Sequence, residues 1–392
     1  MMRKLTIVFF DAGGGHRNAA NALKSVIERQ QRPWQVELLN LQELLDAIDP
    51  LQKVAHIRLQ DGYNLILRKG WTRLTPQLLV LLHSAIRMWH RPIVRALERY
   101  WQQNKADLVL SVIPNFNRAL GESVHQAIPN APFVTLMTDF ADYPPHFWVE
   151  RESEYVICGT QRAVEQALCI GARPEQCFLV SGMVLAPRFY DTVRLDRDVE
   201  RQRLGLHPSL PTALVLFGGH GSPSMLGIAE SLQQAKTPLQ MIMICGRNES
   251  LANNIRQIAA AKPIFIEGFT NRVDYYMALS DFFIGKPGPG SISEALHFNL
   301  PVIVTRNGST MPQERYNAEW VQENEVGVVL KSFSEIQAAV RDLLDDGRLE
   351  SLRANVAARR NVAVFEAVDL LARFIPAENV PNTMTQAQLV RD

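Results

Sequence analysis

Short apolar runs rich in β-branched and aromatic residues alternate with helical patterns along most of the chain. In the first half these runs predict strands at residues 5–10, 36–39, 108–112, 133–137, 155–158 and 178–180. In the second half they predict strands at residues 213–217, 240–244, 264–267, 282–284, 302–304 and 326–330. Strands that alternate with helices are typical of βα units with a parallel sheet, so the pattern predicts an α/β protein.

A polar stretch separates the two series of strands. Residues 186–211 are rich in arginine and aspartate, contain three prolines and show no strand pattern. The length of 392 residues suits two domains. We therefore expect two doubly wound, Rossmann-like domains, residues 1–190 and 205–360, that face each other across a cleft.

The end of the chain is predicted to return to the first domain. A helical pattern runs over about residues 349–374, and we expect the part at 361–376 to pack on the first domain. Residues 377–392 are polar and are predicted to form a tail. Because ligands of doubly wound sheets bind beyond the carboxyl ends of the strands, the cleft is the expected site.

Composition and charge argue against several classes of protein. Hydrophobic residues make up 47% of the chain, which is enough for a full core rather than disorder. The net charge of +1 gives no general case for a nucleic-acid partner. The four cysteines have spacings that match neither a disulfide scaffold nor a zinc site. Since no signal-peptide pattern and no apolar run of about 18 residues is found, we expect a cytoplasmic chain that does not span a membrane.

Three glycine-rich turns follow predicted strands. They are DAGGGH at residues 11–16, before a helix predicted to begin near Arg17, GGHGS at 218–222, and GKPGPGS at 285–291. Backbone N–H groups in such turns approach anions closely, and the following helix N-terminus adds a favourable dipole. The first turn lacks the G-x-G-x-x-G pattern and none ends in G-K-[ST], so dinucleotide binding and ATP hydrolysis are disfavoured. We expect a ligand with a phosphate or diphosphate between the domains.

Longer motifs around these turns resemble those of the monogalactosyldiacylglycerol synthases. The resemblance covers residues 5 to about 371 and is carried by GGGHR at 13–17 with Ala19 and Ala20, TDF at 138–140, HFW at 146–148, CGRN at 245–248, GF at 268–269, GKPGPGSISEA at 285–295 and QE at 313–314. Those enzymes, with the related lipid II-forming glycosyltransferase of peptidoglycan synthesis, are inverting enzymes of GT-B architecture. They use UDP-sugars and lipid acceptors, so the resemblance implies the same architecture and chemistry here.

The resemblance implies a UDP-sugar site built mainly by the second domain. Its residues would be Gly14, Gly15, Gly218, Gly219, Gly246, Arg247, Phe269, Gly288, Gly290, Ser291, Glu294, Gln313 and Glu314. Residues 288–291, together with Gly218 and Gly219, would hold the diphosphate, and Glu294 would accept hydrogen bonds from both ribose hydroxyls. Gly246, Arg247 and Phe269 would line the uracil pocket. Gln313 and Glu314 would grip hydroxyls of the transferred hexose.

The resemblance also implies catalytic roles for two first-domain residues. His16 would be the general base, or part of its relay, that takes the proton of the acceptor hydroxyl, a task suited to a neutral imidazole. Asp139 would orient the base or meet the acceptor hydroxyl. Helix dipoles and N–H groups would stabilise the leaving UDP, so neither a cofactor nor a metal ion is expected to be required.

Each of these side chains also fits a purely structural role. His16 is compatible with a helix cap or a bond to a backbone carbonyl, and Glu294 with a solvated helix position. Gln313 and Glu314 are compatible with an exposed loop pair. Asp139 is compatible with an Asx turn that ends its strand. His220 receives no role.

Charge is concentrated in one window of the first domain. Residues 51–105 hold ten basic and two acidic residues, a net charge of +8, whereas the rest of the chain holds 31 basic and 38 acidic residues. Arg87, Arg91, Arg95 and Arg99 recur every fourth residue and are interleaved with Trp71, Trp89 and Trp101. Pro92 is expected to interrupt or restart this helix. A cationic face beside Trp and Leu suits an anionic membrane surface, although it also fits leucines in the core with solvated arginines.

These observations predict a UDP-hexose transferase that attaches a β-linked galactose or glucose to diacylglycerol. It would work peripherally on the inner face of the cell membrane, through residues 51–105, without a nucleic-acid partner. One alternative keeps the donor but uses another lipid acceptor, such as a polyprenyl-linked sugar or a sterol-like alcohol. Two others share the architecture: a UDP-sugar 2-epimerase, which needs no membrane, and a non-catalytic nucleotide-sugar binding module.

Overall fold

The structure is a computed structural model that describes residues 2–11, 14–46, 86–151, 153–191, 195–258 and 261–375. Residues 12–13 of the first glycine turn, residues 51–85 of the basic window and the predicted tail at 377–392 lie outside the described residues. The same holds for Trp71.

The first half of the chain forms a six-stranded parallel sheet with the strand order β2-β1-β3-β4-β5-β6. Its strands are β1 (Arg3–Phe9), β2 (Trp34–Asn40), β3 (Leu108–Ser111), β4 (Phe133–Leu136), β5 (Tyr155–Cys158) and β6 (Cys177–Leu179). The order steps outward in both directions from β1 and β3, as in a doubly wound sheet.

The second half repeats this plan with the strand order β12-β11-β10-β7-β8-β9. Its strands are β7 (Thr212–Leu216), β8 (Gln240–Ile244), β9 (Ile264–Glu267), β10 (Phe282–Gly285), β11 (Val302–Thr305) and β12 (Gly327–Leu330). All twelve predicted strands are confirmed, with ends that differ by at most two residues. The α/β class and the two doubly wound sheets are confirmed as well.

Helices lie between the strands in both halves. In chain order they are α1 (Gly15–Arg29), α2 (Leu41–Leu45), α3 (His90–Gln103), α4 (Asn117–Ala127), α5 (Gln161–Ile170), α6 (Arg197–Arg203), α7 (Ser224–Gln234), α8 (Glu249–Arg256), α9 (Val273–Ala278), α10 (Pro289–His297), α11 (Arg315–Glu323), α12 (Ile336–Leu344), α13 (Arg348–Ala357) and α14 (Ala363–Phe374). In the described residues, no helix is long and apolar enough to cross a membrane.

The single helix predicted at residues 349–374 is wrong, because α13 ends before α14 begins. Between them, the Asn361 side chain accepts a hydrogen bond from the Ala363 backbone N–H and donates one to the Met183 carbonyl. A side chain that bonds to a backbone N–H two residues later favours a helix start rather than a continuous helix. From this start α14 packs on α1 and buries its apolar face in the core of the first half.

Helix α3 presents its arginines to solvent and its apolar residues to the core. Arg91, Arg95 and Arg99 are exposed, whereas Ile93 and Leu97 are buried. Pro92 lies in the first turn of α3, where its missing N–H costs no helical hydrogen bond. The helix therefore restarts at His90, two residues before Pro92, so the expected interruption lies at Trp89.

The tryptophans of this window fall into different environments. Trp89 is 37% exposed and its neighbour Met88 is 79% exposed. Trp101 is fully buried, and its indole N–H donates to Ser123 Oγ at 3.0 Å. The interpretation of Trp101 as part of a surface face is therefore wrong, because α3 packs that position against α4.

The link between the two halves is tied to the second sheet at one partly buried carboxylate. Asp281, just before β10, receives Arg197 and Arg201 from α6 at 2.8 and 2.7 Å and Arg353 from α13 at 2.9 Å. Its Oδ2 also accepts the Thr212 backbone N–H at 2.8 Å. Helix α6 is thus anchored to the second half.

The chain passes between the halves twice, at residues 181–183 and 361–366, and the two passages are bonded to each other. The Ser181 N–H donates to Glu366 Oε2 at 2.6 Å, and the Val362 N–H donates to Ser181 Oγ at 2.8 Å. Asn361 donates to the Met183 carbonyl at 2.9 Å. This cross-connection fixes the passages side by side.

Candidate active site

The predicted site residues lie at the carboxyl ends of the two sheets. His16 starts α1 after β1, and Asp139 follows β4 in the first half. In the second half, the glycine-rich turns at 218–222 and 285–291 follow β7 and β10, and the CGRN motif at 245–248 follows β8. Charges from both halves interact here, because Asp139 lies in the electrostatic range of Lys286 and Glu314. The site therefore spans the two halves.

His16 is held at the start of α1 by the loops that follow β3 and β4. Gly14 directly precedes α1 and has a left-handed conformation, at φ 82°, which glycine adopts without strain. His16 Nδ1 lies 3.2 Å from Thr138 Oγ1, and the ring also has a backbone hydrogen bond with Val112. Burial lowers the pKa of His16 to about 4, against the raising effect of the Val112 bond. The imidazole is therefore neutral at pH 7.

Asp139 is a buried carboxylate with one strong hydrogen bond. The Trp148 indole N–H donates to Asp139 Oδ2 at 2.9 Å, and the centre of the Trp148 ring lies 5.8 Å from that of His16. Burial raises the pKa of Asp139 to about 7; the Trp148 bond opposes this shift and Glu314 adds to it. Trp148 thus connects the two residues predicted to be catalytic.

A second aspartate shapes the loop that carries Asp139 and Trp148. Asp142 accepts the Trp148 N–H at 2.6 Å and the His146 N–H at 3.1 Å. Its own N–H donates to Gln166 Oε1 at 2.8 Å. Burial raises the pKa of Asp142 to about 6, although these backbone N–H groups lower it. Asp142 was not predicted as a site residue, because the hydrogen bonds to its carboxylate come from backbone N–H groups.

In the second half, the turns after β7 and β8 pack against each other. Gly218 and Gly246 have left-handed φ angles of 77° and 61°. A Cβ on Gly246 would lie 2.4 Å from the Gly219 carbonyl oxygen, and the Arg247 N–H donates to that oxygen at 2.9 Å. Only glycine at 246 permits this approach, so the two turns form one surface. His220, at the tip of the first turn, is exposed and receives no role.

Arg247 and Phe269 lie together at the ends of β8 and β9. The Arg247 guanidinium carbon is 4.4 Å from the centre of the Phe269 ring, and Phe269 is 51% exposed. An exposed aromatic face beside a guanidinium group can stack on a planar base. The pair therefore fits the predicted uracil pocket.

The third turn leads directly into α10. Gly288 precedes the helix and Pro289 begins it, so the backbone N–H groups of Gly290 and Ser291 lie in the first turn, which is a favourable place for an anion. Glu294 follows one turn later. Burial raises the pKa of Glu294 to about 7, with Arg188 opposing and Asp274 reinforcing the shift.

Glu314 forms an ion pair that the sequence motifs do not predict. Lys286 Nζ lies 2.9 Å from Glu314 Oε1, and both Gln313 and Glu314 are 7% exposed rather than in an exposed loop. Glu314 raises the pKa of Lys286, and Asp139 adds to this effect while burial opposes it. The Lys286 side chain is 42% exposed and stays accessible to a ligand. The position of Lys286 in the third glycine turn was the sequence feature that could have predicted a role for it in the site.

The same part of the second half is braced by a buried amide. Asn317 on α11 is fully buried, and its Nδ2 donates to the Pro287 carbonyl at 2.8 Å. This bond joins the turn of Lys286 and Gly288 to the helix that follows Gln313 and Glu314. The site thus combines a helix-start turn suited to an anion, a cation and carboxylates opposite a neutral histidine and Asp139, whose pKa burial raises to about 7.

Two family profiles match the chain in adjacent regions. The profile described as monogalactosyldiacylglycerol (MGDG) synthase matches residues 16–184, and that of the glycosyltransferase family 28 C-terminal domain matches residues 212–373. The first contains His16 and Asp139, and the second contains all the second-half site residues.

Comparison with individual proteins gives the same result as the family profiles. The chain is 28% identical over 357 residues to the chloroplastic monogalactosyldiacylglycerol synthase of Spinacia oleracea, covering 86% of this chain and 65% of that protein. The chain thus spans about two thirds of this relative's length. Among solved structures, MurG of Acinetobacter baumannii has a TM-score of 0.63 at 13% identity, covering 95% of this chain and 99% of that one. HepE of Anabaena, in complex with UDP-glucose, has a TM-score of 0.54 at 15% identity, covering 94% and 99%. These likenesses confirm the predicted GT-B architecture.

Proposed function

We propose that this chain, which belongs to the monogalactosyldiacylglycerol synthase-like glycosyltransferases of family 28, transfers galactose or glucose from a UDP-sugar to diacylglycerol with inversion. The observation that carries the proposal is the arrangement of Asp139 and His16 opposite the Lys286–Glu314 pair. The name of the spinach relative supports galactose and diacylglycerol as substrates.

The donor would lie across the turns of the second half. The N–H groups of Gly290 and Ser291 would bind the diphosphate, and the Arg247–Phe269 pair would stack on the uracil. Glu294 would accept the ribose hydroxyls. Bound in this way, the anomeric carbon would face the first half.

Lys286 and Glu314 would meet the part of the donor where bonds change. Lys286 Nζ is a mobile cation beside the diphosphate-binding turn, so it is suited to stabilise the negative charge that develops on the leaving UDP. Glu314 and Gln313 would accept or donate hydrogen bonds to hexose hydroxyls. In this proposal the N–H groups and Lys286 stabilise UDP, and no cofactor or metal ion is required.

The transfer itself is a single displacement. The acceptor hydroxyl oxygen forms a bond to the anomeric carbon while the bond from that carbon to the UDP oxygen breaks, and the hydroxyl proton passes to a base. His16 is already neutral at pH 7, but a pKa of about 4 makes it a weak base. Asp139, with a pKa of about 7, matches the working pH better and would accept the proton, with His16 orienting the hydroxyl.

We also propose that the enzyme works at the cytoplasmic face of the membrane as a peripheral protein. In the described part of the basic window, Arg87, Arg91 and Arg95 are exposed, and no ion pair joins them to a described residue. Met88 and Trp89 are exposed beside them. Each basic residue near an anionic surface contributes about 1 kcal/mol, so the three together would add about 3 kcal/mol of salt-sensitive attraction to the membrane.

Vesicle binding tests this docking surface. Changing Arg87, Arg91 and Arg95 together to glutamine should weaken binding to vesicles that contain phosphatidylglycerol, with a smaller salt dependence than the wild type. The control changes Arg173, Arg341 and Arg348, which are exposed elsewhere, and alters the net charge equally. Equal binding by both variants would show that Arg87, Arg91 and Arg95 belong to an ordinary solvated surface.

The function is tested by UDP release. Purified protein is given UDP-galactose, UDP-glucose or UDP-N-acetylglucosamine, each with and without diacylglycerol in anionic vesicles, and with or without EDTA. We expect release from a hexose donor only with diacylglycerol, a new glycolipid, and no effect of EDTA. Release only with a polyprenyl-linked sugar or sterol would identify another lipid acceptor. Conversion of UDP-N-acetylglucosamine without lipid would indicate a 2-epimerase, and UDP binding without any turnover a non-catalytic module.

A further inference from the structure

Phe140, the residue after Asp139, crosses from the first half into the core of the second. It is 3% exposed and packs in the cluster that contains Leu216, Ile244 and Val304 of the second sheet. Its backbone stays with the first half, because its carbonyl accepts the Thr160 hydroxyl at the start of α5. The side chain of Phe140 is thus held by the second half and its backbone by the first.

Trp320 on α11 is the main aromatic partner of Phe140. The ring centres are 4.8 Å apart at an interplanar angle of 69°, the edge-to-face arrangement that aromatic pairs favour. On its other side, the Arg359 guanidinium carbon lies 5.6 Å from the Trp320 ring centre. Arg359 belongs to the segment between α13 and α14, just before the second passage between the halves. Trp320 therefore contacts both the loop of Asp139 and the returning chain.

A second aromatic pair runs parallel to the first. The rings of Tyr143 and Tyr316 have centres 6.4 Å apart, and Arg162 Nη2 lies 3.5 Å from the Tyr143 hydroxyl. Tyr316 is one turn before Trp320 on α11. Two aromatic residues of this one helix thus face the loop that carries Asp139 and Trp148.

The helix that bears Trp320 is directly connected to the donor-side residues. Helix α11 begins directly after Glu314, and its Asn317 holds the Pro287 carbonyl of the third glycine turn. A shift of α11 would therefore move Glu314 and the Lys286 turn together. On the other side, Asp139 is bonded covalently to Phe140. Of the two aromatic contacts between this loop and α11, the Phe140–Trp320 contact is the shorter and lies next to Asp139.

We propose that Trp320 is a positioning residue of the transfer reaction, because its contact with Phe140 fixes Asp139 opposite Lys286 and Glu314. The inference rests on the proposed function for its kinetic consequence but not for the contact itself. Displacement of reacting groups by about 1 Å can cost about 100-fold in rate, so a single aromatic contact suffices for this role.

Kinetics with UDP-galactose and diacylglycerol vesicles test the role. Trp320→Leu should lower kcat by about 10- to 100-fold while the Kd for UDP changes by less than about twofold. Trp320→Phe should restore most of the kcat, because it keeps an aromatic edge for Phe140. The matched control is Phe333→Leu, which removes an edge-to-face pair with Phe217 of 5.3 Å and 68° inside the second half. A kcat for Trp320→Leu equal to that of the control, or a parallel loss of UDP affinity, would overturn the proposal.

A double-mutant cycle and hydrogen exchange complete the test. Phe140→Leu combined with Trp320→Leu should lower kcat no further than either change alone. Backbone amides of residues 138–149 should exchange at least about tenfold faster in Trp320→Leu than in the wild type or Phe333→Leu. Unchanged exchange there would show that no such contact positions the loop. This readout needs no turnover, so it decides the contact even where the wild type fails to glycosylate diacylglycerol and the proposed function is wrong.

Discussion

Changing Trp148 to Phe should move the pH dependence of the reaction rather than simply reduce its rate. The change deletes the 2.9 Å hydrogen bond from the indole N–H to Asp139 Oδ2 and retains an aromatic ring beside His16. This bond favours the ionised carboxylate, so its loss makes Asp139 harder to ionise and raises the pKa above about 7. A base works only when ionised, so the acid limb of the pH profile should shift to higher pH.

The size of the shift follows from the energy of one charged hydrogen bond. Such a bond contributes about 1.5–3 kcal/mol, and about 1.4 kcal/mol corresponds to one pKa unit, so the midpoint should rise by about one to two units. The ionised fraction at pH 7 then falls from about one half to between about 10% and 1%. The expected loss of kcat/KM is about 5- to 50-fold at pH 7, with recovery to within about twofold at pH 9 to 10.

The assay is kcat/KM for the donor between pH 3 and 10, over the pH range in which the wild type stays folded. Trp101→Phe is the matched control, because it deletes an indole hydrogen bond of 3.0 Å to neutral Ser123 in the core of the first half. Its profile should keep the wild-type midpoint. An equal loss of rate at every pH in Trp148→Phe would refute the assignment of Asp139 as the titrating base. A wild-type midpoint near 4 would instead point to His16, whose pKa burial lowers to about 4.

Two further substitutions separate catalysis from donor binding. His16→Ala should lower turnover by about 100-fold, because the acceptor hydroxyl loses the group that orients it, while UDP binding by calorimetry stays nearly intact because His16 lies in the first half; unchanged turnover would remove it from the mechanism. Gly246→Ala should destabilise the protein by about 1–3 kcal/mol in urea unfolding and weaken UDP binding, because its Cβ would lie 2.4 Å from the Gly219 oxygen at a φ of 61°. Gly227→Ala on α7, where a Cβ meets nothing within 4 Å, should be neutral or stabilising. Equal effects of both glycine changes would contradict the packing of the two turns.

The strands of both sheets could be predicted from the sequence because each strand is marked by a short local pattern. Buried parallel strands consist of short apolar runs, and the glycine turns after β1, β7 and β10 mark where those strands end. The same reasoning failed at residues 349–374. Helical periodicity continues through that region, and the bond from Asn361 to the Met183 carbonyl joins residues 178 positions apart.

The candidate site was predictable only where one motif holds the residue. Gly288 directly precedes α10, and Ser291 and Glu294 lie in its first two turns, so the third turn predicts them together. Lys286 lies in the same motif, yet its pairing with Glu314 depends on how β10 and α11 pack. The place of Trp101 in the core was equally hidden, because helical spacing does not say which face meets a neighbouring helix.

The contact between Phe140 and Trp320 had no signal along the chain. The two residues are aromatic, as many core residues are, and they lie in different halves. Pairing of side chains across two independently built sheets is set by the tertiary arrangement. Such contacts become visible only when both halves are placed together.

The anchoring of α6 at Asp281 sets the limits for exchanging parts between relatives. Arg197 and Arg201 precede the first strand of the second sheet, yet their carboxylate partner lies within that half. A chimaera that takes its donor half from another enzyme should therefore cut before Arg197, so that the aspartate does not lose two of its three arginines. The second cut belongs between Arg353 and Asn361, because Asn361 is bonded to the first passage of the chain. A transplanted segment with these ends would keep its own buried charges neutralised while the joined passages stay with the recipient.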